Sequence, residues 1–157
     1  MKHPTPPKPQ HSHTPVSPVV EVAAGLVFRG GRLLITQRHH DAHLGGLWEF
    51  PGGKREPGET FAQCLHRELR EELAIEVEVH AVVESITHAY PEKTVRLEFF
   101  HCTWLRGEPQ ALGCPAFQWV TRAELDQFAF PAADARLLER LRAESGWWHL
   151  SHDRAGV

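Results

Sequence analysis

The feature that most constrains the fold is a long glycine-rich segment that leads directly into a well-marked helix. Residues 39–58 include two glycine pairs and two prolines, and a segment of this length is uncommon as a plain connection in a compact domain. Thr60 then supplies a helix N-cap, and Gln63 completes the capping-box pattern three residues later. Apolar residues follow at three- and four-residue spacing, at Ala62, Leu65, Leu69 and Leu73. The sequence therefore predicts a functional loop followed by a helix with one buried face.

Strand-like and helical segments alternate along the rest of the chain. Alternating or valine-rich patterns predict strands at residues 19–28, 33–38, 76–83, 94–105 and 117–120. A second capping-box pattern at Thr121 and Glu124 predicts a brief helix, and a last helix is expected from Pro131 to Gly146. Because strands and helices are interspersed, the expected class is α/β or α+β.

The chain is expected to form one folded domain between two tails. Residues 1–18 are rich in proline and histidine and carry almost nothing apolar, which predicts a disordered tail. The domain is expected at residues 19–146 and a C-terminal tail at residues 147–157, with Trp147 and Trp148 packing that end onto the body.

Composition narrows the classes of function. The formal net charge of the 157 residues is -3, so no global basic field favours stable nucleic-acid binding, and a polyanionic substrate would need local cations or a metal. The three cysteines show no C-x-x-C spacing, which argues against a disulfide framework and suits a reducing cytosol. No secretory signal is visible, and the run at residues 23–28 is far too short to cross a bilayer. The expected setting is cytoplasmic, without a membrane partner; the oligomeric state is not predicted.

Three glutamates on the first helix are the candidate metal ligands. At about 100° per residue, Glu68, Glu71 and Glu72 fall within an arc of about 100°. Such like charges repel one another and weaken an isolated helix. One explanation is a solvated acidic face relieved by Arg67 and Arg70, and on the helix alone this one is favoured. The other is a site for a hard cation such as Mg²⁺, which takes oxygen ligands.

The segment before the helix favours the cation site. Gly53 is followed after five residues by Glu59, and after seven more by the run from Arg67 to Ile75. This pattern resembles the Nudix box, G-x5-E-x7-R-E-U-x-E-E-x-G-U with U aliphatic, and Ala74 alone departs from it, where the family has glycine. The stretches 36–38, 47–54 and 130–134 resemble the MutT branch of nucleoside triphosphate pyrophosphohydrolases. The resemblance implies the Nudix fold, a mixed β-sheet sandwiched between helices.

The resemblance also implies roles for residues of the box. It implies that Mg²⁺ or Mn²⁺ is held by Glu68, Glu71 and Glu72, together with the backbone carbonyl of Gly52. Arg67 corresponds to the residue that orients the glutamates, and Glu59 to its structural partner. Many relatives carry a further glutamate in a loop, but here that position is Gly113. Glu68 is therefore the first candidate for deprotonating the attacking water, and the expected catalytic residues are Glu68, Arg67 and Glu71.

The substrate implied by the resemblance is a nucleotide. Arg38 and Lys54 are candidates to meet phosphate, and Asp134 is a candidate to accept hydrogen bonds from the base. An alternative for Asp134 is a solvated acid in the first turn of the last helix. An oxidised purine triphosphate of the 8-oxo-dGTP type is the leading class, with CTP or 5-methyl-dCTP next and ADP-ribose behind them. The rival from another class is a non-catalytic module that recognises oxidised guanine, although such modules can lose the glutamates that this chain retains.

Overall fold

The computed structural model describes residues 18–149. The tail predicted at residues 1–18 therefore lies outside the described residues except for Pro18, whose carbonyl accepts a hydrogen bond from the Thr94 N–H at 2.9 Å. Residues 150–157 of the predicted C-terminal tail also lie outside them.

Seven strands form one mixed sheet. They are β1 (Val19–Arg29), β2 (Arg32–Gln37), β3 (Trp48–Glu49), β4 (Gly52–Lys54), β5 (Glu76–Ala89), β6 (Thr94–Arg106) and β7 (Phe117–Thr121). Their order is β3-β2-β1-β6-β5, while β4 pairs with β1 and β7 pairs with β2. The β1–β6 pair is parallel and the other strand pairs are antiparallel. The mixed sheet confirms the predicted fold class.

Two helices cover opposite faces of the sheet. Helix α1 (Phe61–Leu73) buries Cys64, Leu65, Leu69 and Leu73 against one face, and α2 (Ala135–Ala143) buries Leu137 and Leu141 against the other. Short 3₁₀ helices lie at Leu125–Gln127, Ala132–Asp134 and Ser145–His149. Each face thus has its own apolar core, as the predicted sandwich requires. Among the described residues, no helix is long and apolar enough to cross a membrane.

Helix α1 begins and ends where its local signals predict. The Gln63 N–H donates to Thr60 Oγ1 at 3.1 Å, and the Thr60 N–H donates to Gln63 Oε1 at 2.8 Å, so the capping box is complete. At the other end Ala74 adopts the left-handed conformation, with φ 57° and ψ 33°. The fold therefore keeps the backbone that a glycine usually supplies here, although this chain has alanine. The predicted apolar stripe contains one error, since Ala62 is only half-buried and Cys64 lies in the core instead.

Three expectations need correction. The segment at residues 39–58 is not all loop, because β3 and β4 lie within it and pair with β2 and β1. Strand β5 continues past residue 83 to Ala89, since irregularities in its pairing with β6 interrupt the alternation without ending the strand. The last helix ends at Ala143 rather than at Gly146, which lies in the final 3₁₀ helix. Trp148 of that helix is 1% exposed, and Trp147 packs against the same core, so the two tryptophans pack this end onto the body as expected.

Candidate active site

Arg67 is the centre of a group of carboxylates on α1 and in the loop before it. Its guanidinium donates twice to Glu59, from Nε to Oε2 at 3.1 Å and from Nη2 to Oε1 at 2.7 Å. Its Nη1 donates to Glu68 Oε1 at 2.8 Å and to Glu71 Oε2 at 3.3 Å. The planar guanidinium can hold several acceptors in fixed directions. One arginine therefore orients three of the acids that the sequence singles out.

Glu59 is the structural anchor of this group. Besides Arg67, it binds the Glu56 N–H, which donates to Glu59 Oε1 at 2.7 Å. The hydrogen bonds from Arg67 and from that backbone N–H lower the pKa of Glu59 to about 2. Glu59 is thus a fixed negative charge at neutral pH, already saturated with donors and unsuited to exchanging a proton with substrate.

The two glycines of β4 are required for different reasons. A Cβ at Gly53 would lie 2.3 Å from Cδ of Glu68 and 2.4 Å from its Oε2. A Cβ at Gly52 would lie 1.9 Å from the Ala23 carbonyl oxygen, because β4 pairs closely with β1. Gly53 therefore makes room for a functional carboxylate, and Gly52 for the sheet. That the Gly52 carbonyl binds metal stays a prediction.

Glu72 completes the acidic face of α1. Burial, together with the negative charges of Glu68 and Glu49, raises the pKa of Glu72 to about 8. Glu72 and its acidic neighbours therefore lie close together where Glu72 is partly shielded from water. A divalent cation relieves such repulsion, and its preferred ligands are carboxylate and carbonyl oxygens.

The residues fit a hard divalent cation by the chemistry of their oxygen donors. Within residues 18–149 no three His, Cys, Asp or Glu side chains are gathered closely enough to ligate one ion. Arg67 holds Glu68 and Glu71 on its own side, and Glu72 faces them from the next position of the helix. Binding of one ion by all three glutamates would therefore require their side chains to move from these positions.

The loop that contains Gly113 packs against the end of α1. The N–H groups of Leu112 and Gly113 donate to the Glu72 carbonyl at 3.0 and 3.1 Å, and His39 Nε2 donates to the Gly113 carbonyl at 3.0 Å. A Cβ at Gly113 would lie 2.8 Å from Cγ of Glu72. A glutamate at this position would therefore displace Glu72 or the loop, which accounts in physical terms for the absence of an acid here.

A second group of charges lies around Glu49, which the sequence analysis did not single out. Arg38 Nη1 donates to Glu49 Oε2 at 2.7 Å, and Arg38 Nε donates to the His43 carbonyl at 2.8 Å. Glu49 raises the pKa of both Glu72 and Asp134, although burial is the larger cause for each. It therefore lies close both to Glu72 on the acidic face of α1 and to the predicted base-binding residue. Glu49 belongs to a strand of two residues, so no periodicity could have marked it.

Asp134 is the least satisfied acid of the site. It is 9% exposed, and its carboxylate has no hydrogen bond to any residue in the described range. Burial and Glu49 raise the pKa of Asp134 to about 6, although Arg38 opposes the shift. Phe130 lies four residues before Asp134, and its ring stacks on Phe50 with ring centroids 5.2 Å apart. A largely buried carboxylate with no hydrogen-bond partner among the described residues is suited to a polar ligand that donates hydrogen bonds.

The remaining predicted phosphate ligand, Lys54, lies at the end of β4. Its backbone carbonyl accepts a hydrogen bond from Arg67 Nη2 at 3.0 Å. In the part of the chain that the structure describes, its ammonium group has no ion-pair partner, whereas Arg38 is paired with Glu49. The structure thus brings the glutamates and Lys54 together around Arg67, and Arg38 and Asp134 together around Glu49.

Comparison with known proteins agrees with the fold and with the box. A family model of the NUDIX domain matches residues 23–140. The CTP pyrophosphohydrolase of Escherichia coli is 38% identical over 125 residues, which is 80% of this chain and 93% of the relative. The 8-oxo-dGTP diphosphatase of Haemophilus influenzae is 35% identical over 128 residues, which is 81% of this chain and 94% of the relative. Among solved structures, that of the E. coli ORF135 protein has a TM-score of 0.72 and 38% identity, and the alignment covers 82% of this chain and 91% of that one.

The fold, the box and these matches define a class of protein. The chain belongs to the Nudix family and is a MutT-like Nudix pyrophosphohydrolase. The chain is therefore assigned to the enzymes of this family and not to the non-catalytic modules that recognise oxidised guanine. The relatives act on different nucleotides, so the family alone does not decide the substrate.

Proposed function

We propose that the protein is a Mg²⁺-dependent pyrophosphohydrolase of nucleoside triphosphates, which yields a nucleoside monophosphate and pyrophosphate. The observation that carries this proposal is that Glu49 lies near both the acidic face of α1, where Arg67 holds Glu68 and Glu71, and Asp134, which has no hydrogen-bond partner among the described residues. A triphosphate with a bound cation suits the acidic face, and a base suits Asp134. We place this nucleotide-sanitising activity in the cytoplasm, with no stable nucleic-acid or membrane partner.

Mg²⁺ or Mn²⁺ would be held by Glu68, Glu71 and Glu72, with the Gly52 carbonyl as a further ligand. When bound, the ion supplies charge neutralisation for phosphate oxygens and acidifies a coordinated water. Arg67 keeps the glutamates oriented through the hydrogen bonds to Glu68 and Glu71. Lys54, which has no ion-pair partner among the described residues, would meet phosphate, and Arg38 would do so by exchanging its contact with Glu49.

Glu68 is the proposed general base. The oxygen of the attacking water forms a bond to phosphorus, the bridging P–O bond breaks, and the proton of the water passes to a Glu68 carboxylate oxygen. Glu59 is excluded from this role because its pKa is lowered to about 2 and both its oxygens accept hydrogen bonds. The loop position that could carry another acid is Gly113, which has no room for one.

For the base, 8-oxo-dGTP is the leading substrate and cytosine triphosphates are the second candidate. An ionised Asp134 accepts hydrogen bonds only, which suits the N–H edge of guanine or the amino group of cytosine. The similarity to the E. coli CTP pyrophosphohydrolase supports the second candidate. Leaving a buried acceptor unpaired costs about 1–3 kcal/mol, which is roughly a tenfold to hundredfold difference in kcat/KM between bases.

The test is a nucleotide panel assayed for pyrophosphate and for phosphate, with Mg²⁺ and with excess EDTA. We expect pyrophosphate release only with metal, highest for 8-oxo-dGTP or for CTP and 5-methyl-dCTP. Glu68→Gln should lower kcat by at least about a hundredfold, as expected when a catalytic acid–base group is lost, while the exposed Glu78→Gln control remains active. Full turnover in EDTA, or an unchanged kcat in Glu68→Gln, would refute the metal site. An equal loss on every nucleotide in Asp134→Ala would remove Asp134 from base recognition.

A further inference from the structure

Arg55 connects the loop of the box to the first strand of the sheet. It occupies one of the five positions that the box pattern leaves open between Gly53 and Glu59. Its Nη2 donates to Glu21 Oε1 at 2.5 Å, and its backbone N–H donates to the Glu21 carbonyl at 2.8 Å. Its Nη1 donates to the Glu59 carbonyl at 2.8 Å. Arg55 is thus fixed to β1 by main chain and side chain, and from there it holds Glu59.

The contacts of Arg55 continue to the candidate metal ligands. The Glu59 carboxylate binds Arg67 twice, and Arg67 in turn binds Glu68 and Glu71. The resulting sequence of contacts runs from β1 through Arg55, Glu59 and Arg67 to two glutamates of α1. Because β1 and α1 both belong to the same core, the loop is held between two rigid elements.

We propose that Glu21 and Arg55 are a positioning pair for the metal-binding glutamates. By fixing Glu59, the pair keeps Arg67 in the orientation that presents Glu68 and Glu71. This inference rests on the proposed function, in which those glutamates bind the metal. Neither Glu21 nor Arg55 contacts them, so the effect is transmitted through Glu59 and Arg67.

The position of the pair argues against a role in stability alone. The side chains of Arg55 and Glu21 are 30% and 25% exposed, and ion pairs near the surface contribute little to the free energy of folding. Arg55 Nε is buried without a hydrogen-bond partner, so the arrangement is not the one that satisfies the guanidinium best. The side chain instead uses its two well-directed donors to join β1 to the Glu59 backbone.

Arg96 provides a matched control on the same surface. Both guanidinium groups lie near the ring of Phe61, Arg55 at 5.4 Å and Arg96 at 5.8 Å from its centroid. Arg96 also forms an ion pair, with Glu98 at 2.9 Å, but that pair stays within β6. Arg96 is also the cross-strand neighbour of Glu21. Arg96→Met therefore removes a similar cation, stacking contact and ion pair from beside Glu21 while leaving the Arg55 hydrogen bonds to Glu21 and Glu59 in place.

The experiment compares Arg55→Met, Arg55→Lys and Glu21→Gln with Arg96→Met in the full-length protein. Mn²⁺ affinity is measured without substrate from the electron paramagnetic resonance signal of free Mn²⁺. Steady-state kcat and KM and urea unfolding are measured beside it. Substitution of a group that orients metal ligands typically lowers metal affinity by about tenfold to a hundredfold. Because this pair acts through two further residues, we expect about threefold to tenfold weaker Mn²⁺ binding in Arg55→Met.

The expected pattern separates positioning from stability. In Arg55→Met and Glu21→Gln, Mn²⁺ binding weakens and kcat falls, while KM for the nucleotide changes little. Arg55→Lys recovers part of the Mn²⁺ affinity and part of kcat. Arg96→Met leaves the Mn²⁺ affinity and kcat as in the wild type. Mn²⁺ affinity and kcat equal to the wild type in Arg55→Met would overturn the inference and leave the proposed function intact. Absence of Mn²⁺ binding by the wild type would overturn both. If Arg55→Met does not fold, Glu21→Gln decides, since it exchanges one oxygen for an NH₂ group.

Discussion

His101 should make the stability of this protein decrease in mild acid. The residue lies on β6, is 5% exposed, and neither of its ring nitrogens has a hydrogen-bond partner in the described structure. Its ring stacks on Phe28 with centroids 4.9 Å apart, and the ring of His80 is 5.9 Å away. Burial, with a smaller contribution from His80, lowers the pKa of His101 from 6.5 to about 4. A neutral imidazole is therefore enclosed where an imidazolium cannot be solvated.

The direction and size of the effect follow from proton linkage. Between pH 6.5 and 4 the unfolded chain binds a proton at this histidine and the folded chain does not, so acid favours unfolding. The contribution of His101 to stability is complete above pH 6.5 and is lost as the pH falls towards 4. At about 1.4 kcal/mol per pKa unit, we expect a loss of about 2 kcal/mol between pH 7 and pH 5.

The assay is urea unfolding of the wild type, His101→Phe and the exposed-residue control His66→Leu at pH 7 and pH 5. Phenylalanine keeps the stacking on Phe28 and removes both unpaired nitrogens, so His101→Phe should lose about 2 kcal/mol less than the wild type over this range. His101→Leu serves as a smaller replacement if phenylalanine overfills the site. A pH dependence in His101→Phe equal to that of the wild type would refute the enclosure of a neutral imidazole.

Two further substitutions test the backbone at the site. Ala74→Gly should be neutral or stabilise the protein by up to about 1 kcal/mol in urea unfolding, because Ala74 has φ 57° and glycine adopts this left-handed conformation more easily than alanine. A destabilisation of about 1 kcal/mol would contradict the left-handed backbone. Gly53→Ala should reduce kcat strongly, since its Cβ would lie 2.3 Å from Cδ of Glu68, while unfolding changes less than in a core substitution. Normal kcat in Gly53→Ala would show that Glu68 works from another position.

The parts of the molecule that the sequence predicts well are those with local signals. The capping box at Thr60 and Gln63 fixes the start of α1 because both hydrogen bonds lie within four residues of chain. The spacing of the glutamates likewise places them on one face of that helix. The packing partner of Trp148, in contrast, is set by the tertiary fold, because its ring lies against Phe28 with centroids 5.3 Å apart and the two residues are far apart in sequence. No local pattern encodes such a contact.

The site, too, has residues that local sequence patterns predict and residues that only the tertiary fold brings together. Arg67, Glu68 and Glu71 meet because they lie on one helix, and Glu59 joins them across eight residues. Glu49 and Arg55 escape sequence analysis because their roles depend on partners brought close by the sheet, Arg38 and Glu21. A single glutamate or arginine in a loop has no spacing that distinguishes it from a solvated charge.

On the proposed function, two kinds of carboxylate in the site would serve metal binding and base selection separately. Glu59 has its pKa lowered to about 2 by donors on both oxygens, and it serves as a fixed part of the framework. Asp134 is buried without a donor, and its pKa is raised to about 6, so its hydrogen-bonding capacity stays open. On the proposed function, a bound base supplies the missing donor and thereby favours the ionised form of Asp134. Glu49 adds negative charge near both Asp134 and Glu72, and it therefore contributes to raising the pKa of an acid in each part of the site.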